Sequence, residues 1–183
     1  MRKVKYFVAN SLDNFIARPD GGVDWLFNDG TDYGMNEFFS SIDCVLLGRK
    51  TFEFAQGHQP KRSSKKAKRK TSVGWGMKSY VFSRTLEAGS DDHFTIISEN
   101  VGAAVRKLKS EPGKDIWLMG GGELAGSLLN EGVVDEIGLN IHPVLLGEGI
   151  PLFGSLNIQV NLELVASKAH ENGCVQVDYR VKH

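Results

Sequence analysis

The sequence predicts an α/β domain: a mostly parallel sheet flanked by helices, with an antiparallel hairpin closing one edge near the C-terminus. Three observations predict it. Short, largely apolar runs such as CVLLG (44–48), SYVFS (79–83), FTIIS (94–98) and DIWLM (115–119) have the composition of strands buried on both faces. Stretches of helical period lie between them. Two alternating segments flank Asn172-Gly173, the strongest short-range hairpin signal in the chain. With 183 residues, no internal repeat and no clean linker, residues 1–183 are expected to form one domain with a full core.

Taken in order, KVKYFVANS (3–11) alternates and then turns apolar, and reads as the first strand. Asp13-Asn14 marks a turn, and FIARPDGGVDW reads as a loop around Pro19 and Gly21-Gly22. In DYGMNEFFSSID (32–43), Met35, Phe38, Phe39 and Ile42 share one helical face, with Asp32 as cap or first-turn acid. The strand at 44–48 leads into RKTFEFA, a helix start. NVGAAVRKLKS (100–110) is helical, with Asn100 as its cap and Pro112-Gly113 beyond its end. ELAGSLLNEG (123–132) is a helix stopped at Gly132. VDEIGLNIHPVLL continues as a strand, followed by the turn-rich GEGIPLFGS and the terminal hairpin.

Composition excludes several classes. Hydrophobic residues make up 41% and charged residues 24%, the balance of a globular chain rather than a disordered one. No apolar run approaches the roughly 20 residues of a membrane span, and the N-terminal apolar stretch is too short for a signal peptide. Cys44 and Cys174 lie far apart in strand-like contexts, which suits core filling in a reducing cytoplasm rather than a disulfide framework or metal site. The formal net charge is zero, yet KRSSKKAKRK (61–70) holds seven of the 22 Lys and Arg residues and no acid. This run reads as a mobile solvated loop or an electrostatic attractor of anions. It lacks the interleaved aromatics of a nucleic-acid surface, and no nucleic-acid partner is expected.

Phosphate chemistry recurs at three strand ends. IWLMGGGELAGSLL (116–129) sets Gly120-Gly121-Gly122 between a strand and a helix, where free N–H groups and absent side chains admit a phosphate. A tight turn without ligand is the competing reading. The match to G-x-G-x-x-A carries little weight, because it does not follow the first strand. LLGRKT (46–51) ends a strand at Gly48 and adds Arg49, Lys50 and Thr51 at a helix start. VFSR (81–84) ends a strand with Ser83 and Arg84, whose planar fork suits a 2′-phosphate.

VANSLDNFIA, LLGRKTFE, VFSR, LMGGGELAGSLL, VDEIGLNIHPVLLGEGIPLF and SKAHENGCVQVDYRV occur in an order that resembles the dihydrofolate reductase fold. More closely, the chain resembles the reductase domain of riboflavin biosynthesis and its stand-alone relatives. The resemblance implies a three-layer α/β/α domain on a sheet of about eight strands, NADPH as hydride donor, and a homodimer. It places Ala9 and Ile16 against the nicotinamide carboxamide through their backbone. It places Gly48, Arg49, Lys50 and Thr51 at the pyrophosphate and adenosine phosphate, and Ser83 and Arg84 at the 2′-phosphate. Gly120, Gly121, Gly122, Glu123 and Leu124 form the second pyrophosphate cradle, with a cis peptide between two of the glycines. Asn14 stands where relatives carry glycine, and Trp25 is followed by LFNDGTD in place of the proline-containing stretch of dihydrofolate reductase. H-x-E and P-C-x-x-C, the zinc-deaminase signature, are absent.

Hydride transfer also needs a proton for the atom that becomes negative, and a half-buried acid of raised pKa can supply it. Asp32 is the first candidate, sixteen residues ahead of Gly48 as in the dihydrofolate reductase pattern, with a plain helix cap as the alternative. Asp13 and Asp24 are rivals, and Asp13 is expected to serve its turn. Glu148, in the segment facing substrate in the riboflavin branch, and Trp25, able to stack on a flat ring or anchor the core, complete the substrate set. His142 before Pro143 is expected to pack at a strand end, His58 shows no partner, and no metal is expected. The function expected is NADPH-dependent reduction of a pyrimidine- or pterin-like heterocycle, resembling 5-amino-6-(5-phosphoribosylamino)uracil reductase. Dihydrofolate reductase activity, a silent nucleotide-binding homologue and salt-sensitive nucleic-acid association are the alternatives.

Overall fold

In the computed structural model, which describes residues 1–57, 77–87, 89–90 and 93–183, the N-terminal alternation folds into β1 (Val4–Ser11), followed by β2 (Phe15–Ala17). Then come α1 (Met35–Ser41), β3 (Ile42–Gly48), α2 (Arg49–Gly57), β4 (Lys78–Phe82), β5 (Gly89–Ser90), β6 (Phe94–Ile97) and α3 (Val101–Ser110). The chain continues through β7 (Asp115–Gly120), α4 (Gly122–Asn130), β8 (Glu136–His142), β9 (Ile150–Pro151), β10 (Leu162–Ala169) and β11 (Val175–Val181). The basic run 61–70 and His58 lie outside the described residues.

Among the described residues, nine strands form the main sheet in the order β10-β11-β8-β1-β7-β3-β4-β6-β5. Strands β8, β1, β7, β3, β4 and β6 run parallel to their neighbours in that series, and β5, β10 and β11 pair antiparallel. The mostly parallel sheet with its C-terminal hairpin is therefore observed. Period-2 alternation splits the central strands between two cores. Val4, Tyr6, Leu46, Ile116 and Leu118 pack against Val105 and Leu108 of α3 and Leu128 of α4. Phe7, Val45, Leu47 and Trp117 pack against Phe38 of α1 and Phe52 of α2. Helices thus cover both faces, giving three layers. Each fully buried Leu or Val here adds roughly 1.5–3 kcal/mol relative to exposure.

Four local differences from the sequence reading have physical causes. Residues 15–17 form a short strand rather than loop, because β9 returns to pair with it and Leu152 N–H donates to the Asn14 carbonyl (2.9 Å). Helix α1 starts at Met35: Gly34 takes a left-handed φ of 78° just before it, and the Asp32 carboxylate accepts the Met35 N–H (2.7 Å). Asn100 occupies the N-cap position of α3 at φ 51° but contributes no side-chain cap bond. The two-residue strands β5 and β9 carry no periodic signal. Gly132, at φ 63°, ends α4 as expected. No helix among the described residues is long and apolar enough to cross a membrane.

Candidate active site

The central parallel strands end along one side of the molecule, and a cleft of about 1910 Å³ runs across those ends. That exceeds the roughly 300–1,000 Å³ of a single small-ligand pocket. It has room for a dinucleotide and a second small molecule, and its walls divide by chemistry.

One half is built from the ends of three strands, β3, β4 and β7, of which β3 and β7 run directly into helices. Gly48 ends β3 beside the end of β7, where a Cβ on it would sit 3.7 Å from the Gly120 carbonyl oxygen and the Gly121 nitrogen. Gly121, in turn, lies between the Thr51 hydroxyl and Ile16. The Gly120–Gly121 peptide is cis, and Gly120 has φ 113°. Helix α4 begins directly afterwards, so its unpaired N–H groups and partial positive charge face this half. Lys50 and Arg84 line the same half, and Arg84 has no ion pair among the described residues. Ala9, Ile16, Gly48, Arg49, Lys50, Thr51, Ser83, Arg84, Gly121, Gly122, Glu123 and Leu124 all line the cleft.

Several of these residues do other work as well. The Arg49 guanidinium pairs with Glu53 one turn along α2 (3.0 Å). The buried Ser83 hydroxyl accepts the Thr85 and Leu86 N–H groups (3.2 and 3.0 Å), building the turn that carries Arg84. Gly122 is required by packing, since a Cβ there would overlap the Pro151 carbonyl oxygen, and the Gly122 carbonyl accepts the Gly154 N–H (2.7 Å). Gly120 stands behind the cleft wall rather than on it. The three glycines therefore answer three separate demands: a positive φ, an open backbone, and a close crossing of chains.

The other half is apolar and aromatic. Phe7, Trp117, Met119, Met35, Phe27 and Tyr33 line it, together with Asn140 and His142 of β8. His142 is 2% exposed and sits edge-on to Trp25 and Phe27 and tilted against Tyr33, with ring centroids 5.0–5.8 Å away. Its Nδ1 lies 3.4 Å from the Cys174 thiol. Burial lowers the His142 pKa against the opposing pull of Asp29, so the imidazole is neutral at pH 7.

The expected substrate acids are elsewhere. Asp32 is exposed and outside the cleft lining. Partial desolvation opposes its ionisation, but hydrogen bonds from the Met35 N–H and the Asn36 amide win, and its pKa is lowered rather than raised. It caps α1. Glu148 is likewise exposed and outside the lining, because the loop that carries it is pinned by Asp13. The Asp13 carboxylate accepts the Ser11 hydroxyl (2.6 Å) and the N–H groups of Leu146 and Gly147, which hold its pKa below the usual range. Asp13 thus serves its turn. Trp25 is buried against His142 and does not line the cleft, so it anchors the wall instead of offering a stacking face. Asp24 is exposed and paired with Arg18. The carboxylates lining the cleft among the described residues are Asp20 and Glu123.

Asn140 escaped notice as a site residue in the sequence, and His142 was read there as packing at a strand end rather than as lining a site. Their signal was two polar side chains at i and i+2 on an otherwise apolar strand, which puts both on one face. Among the described residues no group of three or more His, Cys, Asp or Glu is placed to hold a metal.

The family model of the RibD C-terminal domain matches residues 2–176, and so takes in every part of this cleft. The chain belongs to that family. It is 40% identical over 179 residues to the uncharacterized protein YyaP of Bacillus subtilis (strain 168), covering 97% of this chain and 94% of YyaP. Among solved structures it is similar to a protein provisionally assigned to riboflavin biosynthesis in Shewanella sp. PV-4, with TM-score 0.81, 23% identity and full coverage of both chains. It is also similar to dihydrofolate reductase from Enterococcus faecalis complexed with NADP(H) and RAB-propyl, with TM-score 0.66, 15% identity, and 99% of this chain and 97% of that one covered. The architecture is the dihydrofolate reductase-like fold, and the family is that of a riboflavin-biosynthesis reductase domain.

Proposed function

We propose that this protein is a reductase that transfers hydride from NADPH to a planar pyrimidine- or pterin-like heterocycle, in the manner of a 5-amino-6-(5-phosphoribosylamino)uracil reductase. One observation carries the reading. A phosphate-compatible half and an aromatic half meet in a single cleft, and Ala9, Ile16 and Gly121 line its middle. The residues present fit a dinucleotide phosphate. Gly48 and Gly121 leave the backbone open, the start of α4 supplies N–H donors, and Lys50, Thr51 and Arg84 add charge and a hydroxyl. When bound, the nicotinamide supplies the hydride.

The chain's own residues orient and enclose. Ala9 and Ile16 offer backbone groups to the carboxamide of the nicotinamide, and Arg84 selects the 2′-phosphate. Phe7, Trp117 and Met119 form an apolar floor that excludes water from a flat ring. Neutral His142 supplies a polar group beside that ring without a net charge. The test is oxidation of NADPH, followed by the loss of reduced-nicotinamide absorbance, with 5-amino-6-ribosylaminouracil and related pyrimidines, and with dihydrofolate as the competing substrate. Turnover of a pyrimidine and not of dihydrofolate is expected. Cofactor binding without turnover of any of them would instead assign a silent nucleotide-binding role.

The assembly we propose is a cytoplasmic homodimer. All eight residues of the edge strand β10 are exposed, including Leu164 (55%) and Val165 (56%), and a second copy of the same edge would cover them.

A further inference from the structure

We infer that His142 is the catalytic acid of this reduction, giving its Nε2 proton to the substrate atom that becomes negative, and that Tyr33 and Cys174 refill the imidazole through Nδ1. This rests on the reductase reading and adds to it the source of the proton. The carboxylates that line the cleft are poorly placed for the task. Glu123 is exposed at the start of α4, in the phosphate half, and Asp20 accepts the Gly22 N–H (2.8 Å) on the exposed loop after β2. His142 and Tyr33 both line the aromatic half.

The hydrogen bonds behind His142 run in one direction. The Asn172 amide nitrogen donates to the Asp29 carboxylate and to the Tyr33 hydroxyl oxygen (both 2.6 Å), and the Asn172 carbonyl accepts the Cys174 N–H (3.1 Å). A carboxylate only accepts, so the orientation of that amide is fixed. The Tyr33 oxygen already receives a donor, which leaves its own O–H for the neighbouring Cys174 thiol. Burial, and then the contact with the thiol, raise the Tyr33 pKa. Burial likewise raises that of Cys174 against the pull of the Tyr33 hydroxyl, so both groups keep their protons at pH 7. The S–H is then directed at His142 Nδ1, 3.4 Å away. A neutral imidazole that accepts at Nδ1 carries its hydrogen on Nε2. That nitrogen has no partner among the described residues and, unlike Asn140 Oδ1 and His170 Nε2, it is not sealed from solvent. Its N–H therefore opens on the cleft that the ring lines.

The transfer balances without any change in the oxidation state of the protein. When the substrate carbon takes up hydride, the electron pair of its double bond moves to the neighbouring nitrogen or oxygen. The Nε2–H bond breaks as that atom gains its proton, and Nδ1 takes the thiol proton in the same passage. The sulfur is reprotonated by the Tyr33 hydroxyl, and the Tyr33 oxygen by water. Tyr33 is half-buried and Asp29 beyond it is exposed, so the outer end of the relay reaches solvent. One solvent proton is consumed for each hydride delivered.

The experiment has one part that needs no substrate. In ¹⁵N spectra of the imidazole-labelled wild type at neutral pH, His142 should carry hydrogen on Nε2 and none on Nδ1. Turnover is then followed as NADPH oxidation with 5-amino-6-ribosylaminouracil or with dihydrofolate, after NADP⁺ binding has been measured by calorimetry. His142→Gln keeps an N–H donor but has no proton to release, and should lower kcat about a hundredfold while KM and NADP⁺ affinity stay within about threefold. Cys174 acts through the ring as a positioning residue. Cys174→Ala should lower kcat at least about tenfold, and Cys174→Ser, whose hydroxyl can pass a proton on, should restore it toward the wild-type value. A packing role alone would not separate Ala from Ser in that order. The opposite tautomer, an imidazolium at neutral pH, an undiminished kcat in His142→Gln, or equal kcat in Cys174→Ala and Cys174→Ser would each overturn the assignment and leave the reductase reading standing. Failure of the wild type to oxidise NADPH with either substrate, beside normal NADP⁺ binding, would remove the reductase reading and the proton role together.

Discussion

At Gly122 the demand on a single residue is steric and specific. The Pro151 and Leu152 carbonyls cross where its Cβ would stand, and Gly154 in turn lies against the Glu123 backbone. Gly122→Ala is therefore expected to destabilise the fold by about 1–3 kcal/mol, the range for forcing an extra carbon into a packed site, and to lower the melting temperature accordingly. Gly121→Ala meets only ordinary contacts with Thr51 and Ile16, at 3.6 and 3.9 Å, and should instead weaken cofactor binding with little loss of stability. A melting temperature measured with and without NADPH separates the two effects. The run of glycines was legible as a place where backbone must come close to something. It was not legible which glycine met a phosphate and which met a crossing chain, because the partner of Gly122 arrives from about thirty residues downstream. Asn140 was missed for a related reason: on one strand it is a polar residue in an apolar pattern, and it becomes a site only when β1 and α1 close the cleft around it.

At the scale of elements, the wall of the aromatic half depends on a tie between two loops. The Asp29 carboxylate accepts the Asn172 amide (2.6 Å), and the same amide donates to the Tyr33 hydroxyl (2.6 Å), joining the segment before α1 to the β10–β11 turn. The Asn172 amide, aided by the Thr31 N–H, holds the Asp29 pKa down to about 2. Its unfolded value is near 3.9, so the tie contributes stability above about pH 4 and loses it as pH falls toward 2. Asp29→Asn should thus be less stable than the wild type at pH 6, with the difference closing between about pH 4 and pH 2 in parallel unfolding titrations. A gap that stays constant to pH 2 would contradict this. The hairpin itself was readable from Asn172-Gly173 and its flanking alternation, and α3 and α4 from their period. Asp32 shows where such reading stops: its place before α1 fits both a cap and a catalytic acid, and only the turn at Gly34 directs its carboxylate to the helix N-terminus instead of the cleft.

For the whole molecule, the architecture was largely legible, since buried parallel strands separated by helices permit few arrangements. The two-residue strands and the pairing of β2 with β9 were not, because they arise from chain segments meeting across about 135 residues rather than from local pattern. The exposed β10 edge belongs to this scale. Sedimentation should give twice the 20.1 kDa chain mass, and Val165→Lys should shift it toward the monomer. The central claim, a dinucleotide phosphate seated across three strand ends, is tested most directly by thermal unfolding with NADPH, with NADH and with neither. A cofactor at a hundred times its dissociation constant adds about 2.7 kcal/mol, a rise of several degrees for a domain of this size. The account predicts that rise with NADPH, a smaller one with NADH, and a narrowed difference in Arg84→Ala. No shift with millimolar NADPH would contradict it and leave the glycines to the fold alone.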